Sequence, residues 1–133
     1  MTILMIEDDH IEVLKLNRSI AKLGQEHEVV EAGNGEEALT YLGAHKLPDL
    51  LLLDLNMPKM NGLEFLRVLR NSDRLKYLPT VVLTTSVNEK DLKEAYALGV
   101  AGYLLKPLKY EDYITKIEVI LAYWKHNELV KPK

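Results

Sequence analysis

Five short runs of the chain, residues 2–6, 28–32, 50–53, 80–83 and 101–105, are dominated by Ile, Val and Leu. Polar residues scarcely alternate within them, the pattern of parallel strands covered on both faces. Between these runs the apolar residues recur at helical spacing. Residues 11–23 carry Val13, Leu14, Leu16, Ile20 and Leu23, and Gly24 is placed to stop that helix. Helices over 36–42 and 63–69 follow the turn residues Gly33-Asn34-Gly35 and Asn61-Gly62. A fourth, over 89–98, lies between Asn88 as N-cap and Gly99 as stop. The last and longest, over 110–127, lines Tyr110, Tyr113, Ile114, Ile117, Ile120, Leu121 and Trp124 along one apolar face, with Val119 and Tyr123 off it.

Strand and helix thus alternate five times, which predicts an α/β doubly wound parallel sheet with right-handed crossovers. A chain of 133 residues suits one such unit, over residues 1–127, with 128–133 as a C-terminal tail. Composition narrows the class. The 47% hydrophobic and 28% charged content is that of a globular protein, and no apolar run is long enough to span a membrane. The start runs directly into Glu7-Asp8-Asp9 without the features of a signal peptide, so a cytoplasmic location is expected. Absence of cysteine removes disulfides, thiolate chemistry and Cys-ligated zinc. A net charge of −3 argues against direct nucleic-acid binding. The four histidines are scattered without ligand spacing.

In an open parallel sheet, ligands bind beyond the carboxyl ends of the strands. Glu7 and Asp8 follow the first strand, Asp54 the third, Thr84 the fourth and Lys106 the fifth. Each has an ordinary explanation alone: Asp9 and its neighbours favour a helix start, Asp54 caps a turn, Thr84 is a strand residue, and Lys106 is a loop lysine. Together they place several carboxylates at one crevice, where mutual repulsion calls for a cation. Carboxylate and carbonyl oxygens are the donors that Mg²⁺ prefers, with Mn²⁺ as a substitute. A lysine and a hydroxyl opposite would hold phosphoryl oxygens.

The stretches Ile6-Glu7-Asp8-Asp9, Asp54-Leu55-Asn56-Met57-Pro58-Lys59-Met60-Asn61-Gly62, Pro79-Thr80-Val81-Val82-Leu83-Thr84 and Gly102-Tyr103-Leu104-Leu105-Lys106-Pro107 resemble, in order, the four signatures of response-regulator receiver domains. The resemblance covers residues 2–124. It implies a flavodoxin-like (βα)5 sandwich with strand order 2-1-3-4-5. It also implies that Asp54 accepts phosphate from a sensor histidine kinase and that Asp8 binds metal directly. Glu7 would act through a metal-bound water, and the Asn56 carbonyl would be a further ligand. Thr84 and Lys106 would hold the phosphoryl group, and Thr84 with Tyr103 would form the switch, although a half-buried strand tyrosine is the competing reading. Met57-Pro58 and Gly62 would shape the loop, glycine serving for its backbone freedom. Thr85 stands where the family usually has Ala or Gly, and Leu108 where Phe is commoner, a change expected to concern packing. Thr85-Ser86 and the aromatic last helix also resemble small receivers associated with phytochrome-type kinases.

The implied protein is a signalling switch that catalyses its own phosphorylation and dephosphorylation. It would act through the surface of helix four, strand five and helix five, by binding a partner or by homodimerisation. Passing phosphate to a histidine phosphotransfer protein is the alternative. A Mg²⁺-dependent phosphatase of the haloacid-dehalogenase type would need a second Asp where Asn56 stands. An inert interaction module is opposed by Glu7, Asp8, Asp54, Thr84 and Lys106 all being present.

Overall fold

A computed structural model describes residues 1–130. Five strands, β1 (Thr2–Ile6), β2 (Glu28–Ala32), β3 (Leu50–Leu53), β4 (Thr80–Thr84) and β5 (Gly102–Leu105), form one parallel sheet in the order β2-β1-β3-β4-β5. They alternate with α1 (His10–Lys22), α2 (Gly35–Ala44), α3 (Gly62–Arg70), α4 (Glu89–Ala97) and α5 (Tyr110–Lys125). Strand side chains point alternately to the two faces, and each face finds its own helices. Leu4, Ile6, Leu51, Leu53 and Val82 pack with Ala38, Leu42, Phe65, Leu66, Leu69 and Ala95 of α2, α3 and α4. Ile3, Met5, Leu50, Leu52 and Val81 pack with Val13, Leu16 and Ile20 of α1 and with Tyr113, Ile117, Ile120 and Leu121 of α5. This double covering is why the central strands β1, β3 and β4 lack polar alternation. The edge strands β2 and β5 are more open than expected, because a partner strand lies on one side only.

The helix ends follow local chemistry. Asp9, Asn34, Asn61 and Asn88 are the N-caps of α1 to α4, each side chain accepting a backbone N–H of the first turn. Asn61 and Glu64 complete a capping box. Gly24 and Gly99, at φ 69° and 80°, occupy the left-handed positions just past α1 and α4, as their placement in sequence suggested. Two expectations fail. Leu14 faces solvent with Ile11 rather than joining the α1 core stripe, and Leu108 is fully exposed, so the residue at that position is free of packing. In α5, Val119 and Tyr123 are 62% and 61% exposed, consistent with their place off the apolar stripe. Of the tail, Leu129 and Val130 line a cavity with Tyr41, His45 and Leu78 at the opposite end of the sheet from the acidic residues, and residues 131–133 lie outside the described ones.

Candidate functional site

The parallel sheet carries β1, β3 and β4 side by side, so the residues after their last pairings emerge at one edge. Glu7 continues β1 by donating its N–H to Ala32 (2.9 Å), and Asp54 continues β3 by donating to Ile6 (3.0 Å). Their carboxylates and that of Asp8 present oxygen atoms all within 4.8 Å of one another. Asp9 does not join them. Its side chain caps α1 by accepting Ile11 N–H at 3.0 Å, and its own N–H donates to Glu7 Oε1 at 3.2 Å. The helix-start reading therefore holds for Asp9, while Glu7 and Asp8 share the carboxylate cluster with Asp54.

Lys106 enters from β5. Its Nζ lies 2.6 Å from Glu7 Oε2 and 3.9 Å from Asp54 Oδ2, and its side chain is only 9% exposed. Burial drives the Glu7 carboxyl up to about 7, with Asp54 adding to the rise and Lys106 opposing it. For Lys106 burial favours the neutral amine, but Glu7 and Asp54 outweigh it and hold the ammonium above its ordinary range. Asp54 itself is buried, and its Oδ1 accepts the N–H of Leu55 at 2.9 Å, which leaves Oδ2 toward Lys106. Glu7, Asp8 and Asp54 thus form one acidic cluster, of which Glu7 and Asp54 pair with Lys106. An oxygen-only donor set with excess negative charge fits a hard divalent cation. Asn56 is exposed in the loop immediately after this cluster.

That loop is pinned at both ends. Gly62 N–H donates to Leu55 O at 3.0 Å, and Gly35 N–H donates to Met60 O at 3.0 Å. The left-handed residue of the loop is Lys59, at φ 63°, not Gly62. Glycine is needed at 62 for space: a Cβ there would stand 2.5 Å from the Asp54 carbonyl oxygen and 2.8 Å from Leu55 Cα. The expected role of Gly62 in backbone freedom is thus corrected to one of close approach.

Thr84 ends β4 completely buried. Its Oγ1 accepts Ser86 N–H at 3.3 Å, the Ser86 carbonyl accepts the Tyr103 hydroxyl at 3.0 Å, and Ser86 Oγ donates to Asp91 of α4 at 2.8 Å. Tyr103 is half-buried and connected to Thr84 through Ser86, which the sequence singles out only within the subtype resemblance. Nothing in its spacing marks it as a junction. Thr85 is exposed beside the site.

Comparison with known proteins agrees with this geometry. The response regulator receiver domain model matches residues 3–118. Probable methanogenesis regulatory protein FilR2 of Methanothrix harundinacea is 39% identical over 127 residues, covering 92% of this chain and 82% of that one. Response regulator Rcp1 of Synechocystis is 34% identical over 128 residues, covering 92% and 87%. Among solved structures, the phosphorylated cyanobacterial phytochrome response regulator RcpA superposes with a TM-score of 0.89 at 33% identity over 96% of each chain. The Mn²⁺-bound form of Rcp1 gives 0.87 at 31% identity over 99% of each. Since the matched region begins in β1 and ends within α5, it takes in every strand end that carries a site residue. Sequence and fold therefore agree that this chain belongs to the response regulator receiver domains of two-component signalling.

Proposed function

We propose that Asp54 is the phospho-acceptor of a Mg²⁺-dependent switch driven by a partner sensor histidine kinase. The observation that carries this reading is the approach of Asp54 Oδ2 to Lys106 within a crevice that also holds Glu7 and Asp8. An Asp54 oxygen attacks the phosphorus of a phosphohistidine; the P–N bond breaks, and the imidazole leaves with the electron pair and takes up a proton. Lys106 offsets charge on the phosphoryl oxygens, and Thr84 donates its hydroxyl to one of them. Asp8 and Asp54 would hold the cation, with the Asn56 carbonyl, and Glu7 through water. When bound, it supplies charge neutralisation for the phosphoryl oxygens. The relative bound to Mn²⁺ supports Mn²⁺ as a substitute.

Hydrolysis of the acyl phosphate resets the switch, so the protein is a self-phosphorylating signal carrier rather than a turnover enzyme; Asn56 stands where a phosphatase of the aspartyl-phosphate type needs a second acid. Movement of Thr84 toward the phosphoryl group would pull on Ser86 and hence on Tyr103 and Asp91, changing the face made by α4, β5 and α5. That face is the output, toward a second copy of the chain or toward a partner. Onward transfer to a histidine phosphotransfer protein is the alternative. No described helix is long and apolar enough to cross a membrane. The absence of cysteine suits a reducing compartment such as the cytoplasm.

Intact mass after incubation with phosphoramidate and Mg²⁺ tests the assignment. Wild type gains one phosphate that is labile to acid and base, and Asp54→Asn gains none. Undiminished labelling of Asp54→Asn would overturn it.

A further inference from the structure

Lys106 must keep its ammonium at the crevice, yet it follows the last residue of an edge strand, where one side of the backbone has no neighbouring strand. The peptide unit between Leu105 and Lys106 is held from both sides. Its N–H, on Lys106, donates to the Thr84 carbonyl of β4 at 2.8 Å. Its C=O, on Leu105, points the opposite way because the peptide is planar and trans, toward the open edge. There it accepts Lys116 Nζ of α5 at 2.6 Å. A charge-assisted bond of that length is among the stronger kinds. One rigid plane is thereby fixed by Thr84 on one side and by the middle of α5 on the other, and the Cα of Lys106 is attached to it.

We propose that Lys116 is a positioning residue for phosphorylation, setting the direction from which Lys106 reaches Asp54 by clamping the Leu105–Lys106 peptide. The proposal rests on the reading of Asp54 as phospho-acceptor. Lys116 touches neither Asp54 nor the acidic cluster, so its effect passes through the backbone. Asp112, Lys116, Val119 and Tyr123 are spaced as one stripe of α5. A partner covering Val119 and Tyr123 therefore meets Lys116 as well. Any contact that draws Lys116 off Leu105 loosens Lys106, so partner binding at this stripe changes the phosphorylation rate.

The full chain as wild type, Lys116→Met and Lys116→Arg separates this role from mere packing. Phosphorylation by phosphoramidate is followed at saturating donor and Mg²⁺, together with half-saturating Mg²⁺, melting temperature and the ¹⁵N–¹H resonances of Thr84 and Lys106. Lys116→Met, which keeps the length but not the donor, should lower the maximal rate about fivefold, the effect of losing roughly one hydrogen bond. Half-saturating Mg²⁺ should stay as in wild type, the Lys106 amide should shift, and Lys116→Arg should recover most of the rate. A wild-type rate in Lys116→Met, or equal slowing in Lys116→Arg, overturns the clamp. A wild type that takes up no phosphate at Asp54 overturns the underlying reading instead; the Lys106 amide then decides the clamp alone, and its failure to shift in Lys116→Met refutes it.

Discussion

The ammonium of Lys106 lies 2.6 Å from the buried carboxylate of Glu7, closer than its 3.9 Å approach to Asp54. Lys106 thus has a partner before any phosphoryl group arrives, and that partner sits in a place where burial penalises its charge. On the proposed function, a cation beside Glu7 would remove the penalty, and phosphate on Asp54 would give Lys106 a second destination. The pair is the resting position of the site.

The raised Glu7 carboxyl makes metal-free stability depend on pH. Its folded value of about 7 exceeds the ordinary 4.5, so between these limits the folded state binds more protons than the unfolded one. Its stabilising contribution is full below pH 4.5 and is lost as pH rises through 7. Urea unfolding in EDTA should show wild type losing on the order of 1 to 3 kcal/mol relative to Glu7→Gln between pH 5 and pH 8. Lys106, raised from 10.5, contributes in the same sense only at higher pH. Parallel pH profiles for the two proteins would refute the assignment.

Glu7 also predicts proton release. At pH 7 a carboxyl that titrates near 7 is partly protonated, and a divalent cation favours the charged form. Calorimetric titration with Mg²⁺ in buffers of different ionisation enthalpy should reveal protons leaving wild type, and far fewer leaving Glu7→Gln. Identical buffer dependence in both would place those protons elsewhere.

Repulsion within the cluster should be visible in stability. Glu7, Asp8 and Asp54 share a small volume with Lys106 as the cation in ion-pair contact, so Asp54→Asn or Asp8→Asn in EDTA should stabilise the fold by about 1 kcal/mol. Mg²⁺ should then raise the melting temperature of wild type more than that of Asp8→Asn, because it binds the native state. Equal responses to Mg²⁺ would remove Asp8 from the ligands.

Strand ends, helix caps and the sheet's two covered faces were legible because each leaves a local signal. Leu50-Leu51-Leu52-Leu53 reads as a buried strand on its own, and Asn88 and Gly99 mark a helix by type and position. The residues at the crevice were legible because strand ends in such a sheet converge. What stayed hidden are contacts between side chains distant in sequence: Lys106 choosing Glu7 over Asp54, Ser86 joining Thr84 to Tyr103, and Lys116 reaching Leu105. Gly62 was marked by type but not by cause, since the approach of Asp54's carbonyl depends on how the loop folds back.

Arg70 is another residue of this kind. From the end of α3 its guanidinium donates to the carbonyls of Leu98 and Gly99 beyond α4 and of Lys76 and Leu78 before β4. Its partial burial lowers its affinity for the proton without threatening its charge. Arg70→Ala should cost about 2 kcal/mol by chemical denaturation, with carbonyls left to water or unpaired. Arg70→Lys should recover little, because a single ammonium cannot span four acceptors on two segments. A loss under about half a kcal/mol for both would mean that water replaces the guanidinium fully.

Gly62 offers a contrast with Gly35. A Cβ at 62 meets backbone at 2.5 and 2.8 Å, whereas at 35 it meets the flexible Met60 side chain at 2.7 Å. Gly62→Ala should destabilise by about 2 kcal/mol or more and slow phosphorylation by displacing Asp54, while Gly35→Ala should be the milder change. The reverse order in thermal melts would show that the loop after β3 yields more readily than the α2 terminus.

The output face gives the last prediction. Val119 and Tyr123 stand exposed on α5, Tyr123 edge-on against Trp124 at 5.1 Å between ring centroids, and Leu105 of β5 lies 40% exposed. Scattered apolar residues are ordinary on protein surfaces, so exposure alone does not make an interface. Two structural facts favour one here. The stripe bearing them includes Lys116, which grips the peptide before Lys106, and Tyr103 on β5 is linked to Thr84 through Ser86. A twofold pairing of two copies would bury these residues against their own counterparts. Light scattering with and without fluoroberyllate should show wild type shifting toward dimer on activation. Tyr123→Ala should weaken the dimer in both states by lost burial, and Tyr103→Ala should leave association independent of fluoroberyllate. If wild type stays monomeric in both states at high concentration, the face belongs to a different protein and the homodimer is excluded.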